Sequence, residues 1–98
     1  MDRMDGNEFF RLASQVKNGV GLKAVSKRPF TVHSCNAKSP HGATLRKDRH
    51  FTVGDRFTVK EFFVSNGLAL HGEKCVWIED SKGYRYATFA SHFDFHKA

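Results

Sequence analysis

Gly54-Asp55-Arg56-Phe57-Thr58-Val59-Lys60-Glu61-Phe62-Phe63-Val64 is the stretch whose pattern settles the fold. Phe57 and Val59 alternate with Arg56, Thr58 and Lys60, the period-two pattern of a strand with one buried face. The phase slips at Glu61, where Phe62 and Val64 continue the apolar face one residue out of step. An extra residue near Lys60-Glu61 predicts a β-bulge, which bends the strand and returns the apolar side chains to the core. Gly54-Asp55 supplies a turn before this strand, and the alternation of Phe51 and Val53 carries the β pattern upstream.

Downstream the β pattern continues. Ser65-Asn66-Gly67 turns the chain, and Leu68-Ala69-Leu70 is a short apolar piece before His71-Gly72. Lys74 to Glu79 reads as a strand with Val76 and Ile78 on one face. Asp80-Ser81-Lys82-Gly83 is a hairpin turn. Tyr84 to Phe89 then returns antiparallel, with Arg85, Ala87 and Phe89 opposite Tyr84, Tyr86 and Thr88. His92 to Phe95 forms a closing turn and a last short strand.

Gly54-Asp55-Arg56-Phe57-Thr58-Val59, followed by Val76-Trp77-Ile78-Glu79-Asp80-Ser81-Lys82-Gly83-Tyr84, resembles a small SH3-like barrel. Such barrels pair a glycine-led first strand with a later hairpin whose turn joins an acidic residue to glycine. Over about residues 51–95 the chain looks like the small accessory proteins of bacteriophages. The resemblance implies a binding module rather than an enzyme, working in the host cytoplasm.

Upstream, Asp5-Gly6-Asn7-Glu8 opens a helix over residues 5–18. Asp5 is placed to cap it, and Glu8 to reach back in a capping box. Phe9, Leu12, Ala13 and Val16 form one apolar stripe at i, i+3, i+4, i+7, and Asn18-Gly19 ends the helix. Residues 21–50 hold short strands and a basic loop. Leu22 to Val25 and Phe30 to Val32 are the strands, separated by Ser26-Lys27-Arg28-Pro29. Residues 34–50 lose periodicity and read as a long exposed loop, with a short extended piece at Ala43-Thr44-Leu45. The fold class is therefore α+β: an N-terminal helix packed on a small bent antiparallel sheet or SH3-like barrel. The expected core is Phe9, Leu12, Phe57, Val59, Phe62, Val76, Ile78 and Phe89.

A chain of 98 residues has room for a single domain, 1–98, with one modest core. No run approaches the roughly 18 apolar residues of a spanning helix, and Met1 to Asp5 lacks the layout of a secretory signal. A cytoplasmic protein with no membrane partner is expected. Cys35 and Cys75 are too few for a stapled secreted scaffold and read as reduced thiols, with one long-range disulfide as the alternative.

The charge is unevenly distributed. The net charge is +6, yet residues 17–60 carry ten lysines and arginines against two aspartates, a net of +8. Both ends are close to neutral. A concentrated positive field attracts polyanions, and nucleic acid is the commonest of these because each neutralised phosphate releases a counterion. The candidate phosphate contacts are Lys27, Arg28, Lys38, Arg46, Lys47, Arg49, His50, Arg56 and Lys60. Trp77, Tyr84 and Tyr86 are candidate stacking rings, or else a second core layer. The one helix is near-neutral, which argues against major-groove reading by a recognition helix.

Metal and catalytic chemistry are poorly supported. His71-x-x-x-Cys75, His92-x-x-x-His96 and His33-x-Cys35 have spacings zinc can use, but four residues along a strand span about 13 Å. No metal or other cofactor is expected. No nucleophile elbow, Walker loop or HExxH motif occurs, so no catalytic residue is assigned. The expected activity is non-catalytic binding of DNA or RNA by the 27–60 segment. The alternatives are a module that binds an acidic protein surface or host enzyme, and a small ribonuclease using His50, His71 or His92 as general base.

Overall fold

The computed structural model describes residues 4–65 and 72–98. Asn66-Gly67, Leu68-Ala69-Leu70 and His71 lie outside the described residues. The protein is α+β: helix α1 (Gly6–Lys17) precedes a mostly antiparallel β structure. The strands are β1 (Leu22–Ser26), β2 (Phe30–Val32), β3 (Ala37–Lys38), β4 (Arg49–Phe51), β5 (Arg56–Val64), β6 (Lys74–Glu79), β7 (Arg85–Phe89) and β8 (Phe93–Lys97). Six strands form one sheet in the order β3-β7-β6-β5-β1-β8, while β2 and β4 form a separate two-stranded ribbon. Every pairing is antiparallel. Among the described residues no helix is long and apolar enough to cross a membrane.

Local chemistry explains α1. The Asp5 carboxylate accepts from the Asn7 amide at 2.6 Å, satisfying one amide the first turn leaves open. Glu8 lies 4.0 Å from Arg11, one turn on. At the other end Gly19 adopts φ +85°. Its amide donates to the Val16 carbonyl at 3.1 Å, and that of Val20 to Gln15 at 2.9 Å, which is a Schellman closure. Leu12 is buried, with Phe9, Ala13 and Val16 packed beside it. The Phe9 ring meets Phe62 edge-on at 5.6 Å, docking the helix on β5.

The core lies on one face of the six-stranded sheet, hereafter the inner face. Leu22, Ala24, Phe57, Val59, Phe62, Val76, Ile78 and Tyr86 fill it from the central strands. The β2–β4 ribbon covers this face beside the helix: Phe30 lies 5.1 Å from Phe93, and Phe51 lies 5.2 Å from Phe57. The β5 bulge falls where the phase slip placed it. Val59 pairs with Ile78 and Glu61 with Trp77, so Lys60 has no partner across the ladder. Phe62 is thereby returned to the inner face; Val64, at the strand end, stays exposed.

Four expectations need correction. Residues 34–50 are more ordered than an exposed loop, with a 3₁₀ turn at Ser34–Asn36 and strands β3 and β4. Ala37 is small enough to sit fully buried opposite Tyr86. The extended piece at 43–45 is a single bridge from Thr44 to Lys38. Val53 is no strand residue: β4 ends at Phe51, and Val53 is 59% exposed in the following turn. The faces of β7 are also exchanged. Tyr86 lies opposite the buried Ile78, whereas Phe89 lies opposite Cys75 on the outer side and is only half-buried.

Candidate functional site

The outer face of the sheet carries the one tryptophan of the chain. Trp77 lies between Val76 and Ile78, both fully buried, so strand alternation turns its indole outward. Across the ladder its neighbours are Glu61 on β5 and Ala87 on β7. The Phe63 ring lies 6.2 Å away, tilted by 32°. Lys38 on β3 pairs with Arg85 on β7, so the strand order places both on one side of the indole and Lys60 on the other.

A wall rises beside this floor. The Gly42 amide donates to Ser39 at 2.9 Å and Ser39 donates to Ala43 at 2.8 Å, folding residues 39–43 into a tight turn. Pro40 rests against the β6–β7 turn, where a Cβ built on Gly83 would lie 3.4 Å from its ring. Floor and wall enclose a cleft of about 650 Å³ lined by Lys38, Pro40, His41, Lys60, Trp77 and Arg85 among others. Glu61 also lines it. Just outside, Glu79 accepts from Arg85 Nε at 3.0 Å and lies 4.0 Å from Lys60 Nζ.

The basic loop lies next to the cleft. The Leu45 amide donates to Ala37, and from there the chain leaves the β3 edge toward β4. Arg46 and Lys47 are exposed, and no hydrogen bond or ion pair engages either among the described residues. Asp48 accepts from the Ser34 amide at 2.9 Å and lies 3.3 Å from His33 Nδ1. The Ser34 bond, then the His33 bond, hold its carboxyl below the usual range. Arg49 lies over the Tyr84 ring, 5.0 Å from its centroid. His50 shares a hydrogen bond with Thr31 at 2.9 Å.

The remaining candidates lie elsewhere. Lys27 lines a pocket together with Asp5, Glu8 and Asp94, an acidic setting. Arg28 is half-buried close to His92. Arg56 shares a second outer-face pocket with Lys23, Glu79, Asp80 and His96. The basic residues of the 27–60 segment are thus not gathered on one surface. Tyr86 is unavailable for stacking: it is 1% exposed, and its hydroxyl donates to Asp80 at 2.9 Å. Burial, then that bond, push its phenol well above the ordinary value. Tyr84 is half-buried against the core beneath Arg49. Arg85 and Phe63 escaped the sequence reading, although the hairpin turn fixes the register that sets Arg85 opposite Glu79 and Ala87 opposite Trp77.

Among the other reactive groups, His92 stacks on Phe30 at 5.1 Å and meets Phe89 edge-on at 5.6 Å. Its Nδ1 is buried with no hydrogen-bond partner among the described residues, and burial, then Arg28, lower its pKa. Cys35 and Cys75 are free thiols, the first exposed and the second buried. Burial raises the Cys75 pKa, which leaves it a poor nucleophile at neutral pH. Among the described residues no group of three or more histidine, cysteine or acidic side chains gathers to hold a metal. His96 is exposed on β8, and His71 lies outside the described residues. Comparison with known proteins finds no matching family model, no similar curated protein and no similar solved structure.

Proposed function

We propose that this protein binds nucleic acid without catalysis, holding phosphates with cations gathered about the β3 edge. The observation that carries this reading is the cleft, in which the only tryptophan lies between Lys38 and Arg85 on one side and Lys60 on the other. Arg46 and Lys47 extend the positive surface beyond it, with no intramolecular partner among the described residues to satisfy them. Lysine and arginine so placed give affinity without sequence information. Lys27 stands apart from this surface, in its acidic surroundings. The resemblance to small SH3-like barrel proteins of phages supports a binding role, and the ribbon packed over the inner face suits a barrel-like arrangement.

Fluorescence-anisotropy titration of labelled oligonucleotides across a salt series tests the reading. Affinity is expected to fall linearly in log salt, with about −0.7 to −0.9 of slope for each phosphate neutralised. The variant R46E/K47E/R49E is expected to lose binding while its thermal melt is retained. Equal affinity in that variant, or no binding at low salt, overturns the proposal. In the second case, recovery of one stoichiometric acidic protein in a nuclease-treated pull-down would assign the basic surface to a protein partner instead.

A further inference from the structure

The two faces of the sheet are used differently. Helix α1 packs on the inner face through Leu12 and Phe9, the latter against Phe62. Trp77 lies on the outer face, so the only helix among the described residues is on the opposite side from the cleft. Among the described residues no helix is therefore placed to enter a groove of a duplex beside Trp77. The floor of the cleft offers a ring surface instead, the half-buried indole; the Phe63 ring, 6.2 Å away and tilted 32°, lines the neighbouring pocket. The indole's neighbours across the ladder are Ala87 on β7, a small side chain, and Glu61 on β5, which also lines the cleft.

The chemistry of that floor suits one form of nucleic acid. In a duplex the faces of each base are covered by its neighbours, and exposing one costs a few kcal/mol. In a single strand the faces are free to stack on aromatic side chains, while the backbone tracks a positive groove. Here the cations flank the ring on both sides across the strand order β3-β7-β6-β5, where the phosphates preceding and following a stacked base would pass. A cleft of about 650 Å³ lies within the range that holds a ligand of nucleotide size.

We infer that the Trp77 cleft is a single-strand site, in which a base stacks on Trp77 while Lys38, Arg85 and Lys60 hold the adjoining phosphates. The inference rests on the nucleic-acid reading above and adds to it the form of the ligand and the residue that selects it. Neither sequence specificity nor a sugar preference is required, because every base has a ring face to stack.

The test uses the full chain and exploits the single tryptophan. Its fluorescence reports on the cleft with no added label. Titration with a dodecathymidylate, a dodecauridylate and a twelve-base-pair duplex is expected to give saturable quenching by the single strands and at least tenfold weaker binding of the duplex. The two single-strand arms separate DNA from RNA as the preferred source. By anisotropy, W77A is expected to weaken single-strand binding by about 5- to 150-fold, the conversion of about 1–3 kcal/mol per stacked base, and W77F to recover most of the loss. A thermal melt of each variant confirms that the fold persists. Should W77A fail to fold, the quenching and the duplex comparison on the unaltered chain decide the matter.

Salt-dependent binding in which duplex and single strand are equal, or in which W77A binds normally, overturns the single-strand assignment and leaves the nucleic-acid reading standing. No binding of any oligonucleotide at low salt overturns both.

Discussion

Arg85 and Glu79 face each other across the β6–β7 hairpin, and Arg85 Nε donates to Glu79 Oε2 at 3.0 Å. The same oxygen lies 4.0 Å from Lys60 Nζ. One carboxylate thus engages two of the cleft cations that the proposed complex assigns to phosphates. Its side chain is 25% exposed, so it is neither buried nor freely solvated.

Removing that charge should strengthen binding. E79Q keeps a hydrogen-bond acceptor for Arg85 but frees both cations, and a gain of about three- to tenfold in oligonucleotide affinity is expected at low salt. Stability should change by less than about 1 kcal/mol, because part-exposed ion pairs contribute little. Anisotropy titration with a parallel thermal melt checks both. Weaker binding in E79Q would show that Glu79 positions Arg85 rather than competing for it.

Tyr86 joins the core to the hairpin turn. Its hydroxyl donates to Asp80 Oδ2 at 2.9 Å, while Asp80 Oδ1 accepts from the amides of Lys82 and Tyr84. Y86F keeps the ring and removes the bond to a charged acceptor, for an expected loss of about 1.5–3 kcal/mol. Urea denaturation measures it. An unchanged midpoint would show that the hydroxyl contributes nothing net.

Buried and exposed apolar residues should respond very differently to truncation. Ile78 is fully buried, and I78A is expected to cost about 2–5 kcal/mol through lost burial and the cavity left behind. Phe10 is 73% exposed on α1, and F10S should stay within about 0.5 kcal/mol of the parent. Paired chemical denaturation curves would expose a misassigned helix face if F10S proved the more damaging.

Mild acid should weaken the fold through His92. Its pKa is held below its ordinary 6.5, chiefly by burial. The unfolded chain therefore takes up the proton first as pH falls, so the contribution is complete above pH 6.5 and declines below it. Asp48 acts in a lower window, since its carboxyl is depressed from 3.8 and its contribution is lost only as pH falls through the acid range beneath that. Stability measured from pH 7.5 to 5 should fall, and H92Q should flatten that slope. An equal slope in H92Q would place the pH dependence elsewhere.

Features that depend on near neighbours in the chain were legible from sequence. Asp5 and Gly19 mark the ends of α1, the slip at Glu61 marks the bulge, and Asp80 to Gly83 marks the hairpin. Trp77 could be placed outward because both its neighbours are apolar. Features set by distant pairing were not legible. Strands β3 and β4 have two and three residues, too few for a period to show, and exist because Ala37 fits opposite Tyr86 and Phe51 opposite Phe30. The alternation in β7 separates Tyr86 from Phe89 but does not say which faces the core; the register with Ile78 decides that. The cleft needs its wall as well as its floor, and the wall depends on Pro40 meeting Gly83 from more than forty positions away in the chain.

The β5 bulge has a genetic consequence. Val59 and Phe62 face the core on either side of it, and Glu61 already sits opposite Trp77. An in-frame loss of the Lys60 codon would therefore leave the two halves of the strand aligned with β6 as an unbroken ladder. What disappears is the cation beside the indole. The residue that interrupts the regular pairing has no partner across the ladder, so exchanging or losing its codon alters the charge of the cleft while the apolar residues that face the core stay the same.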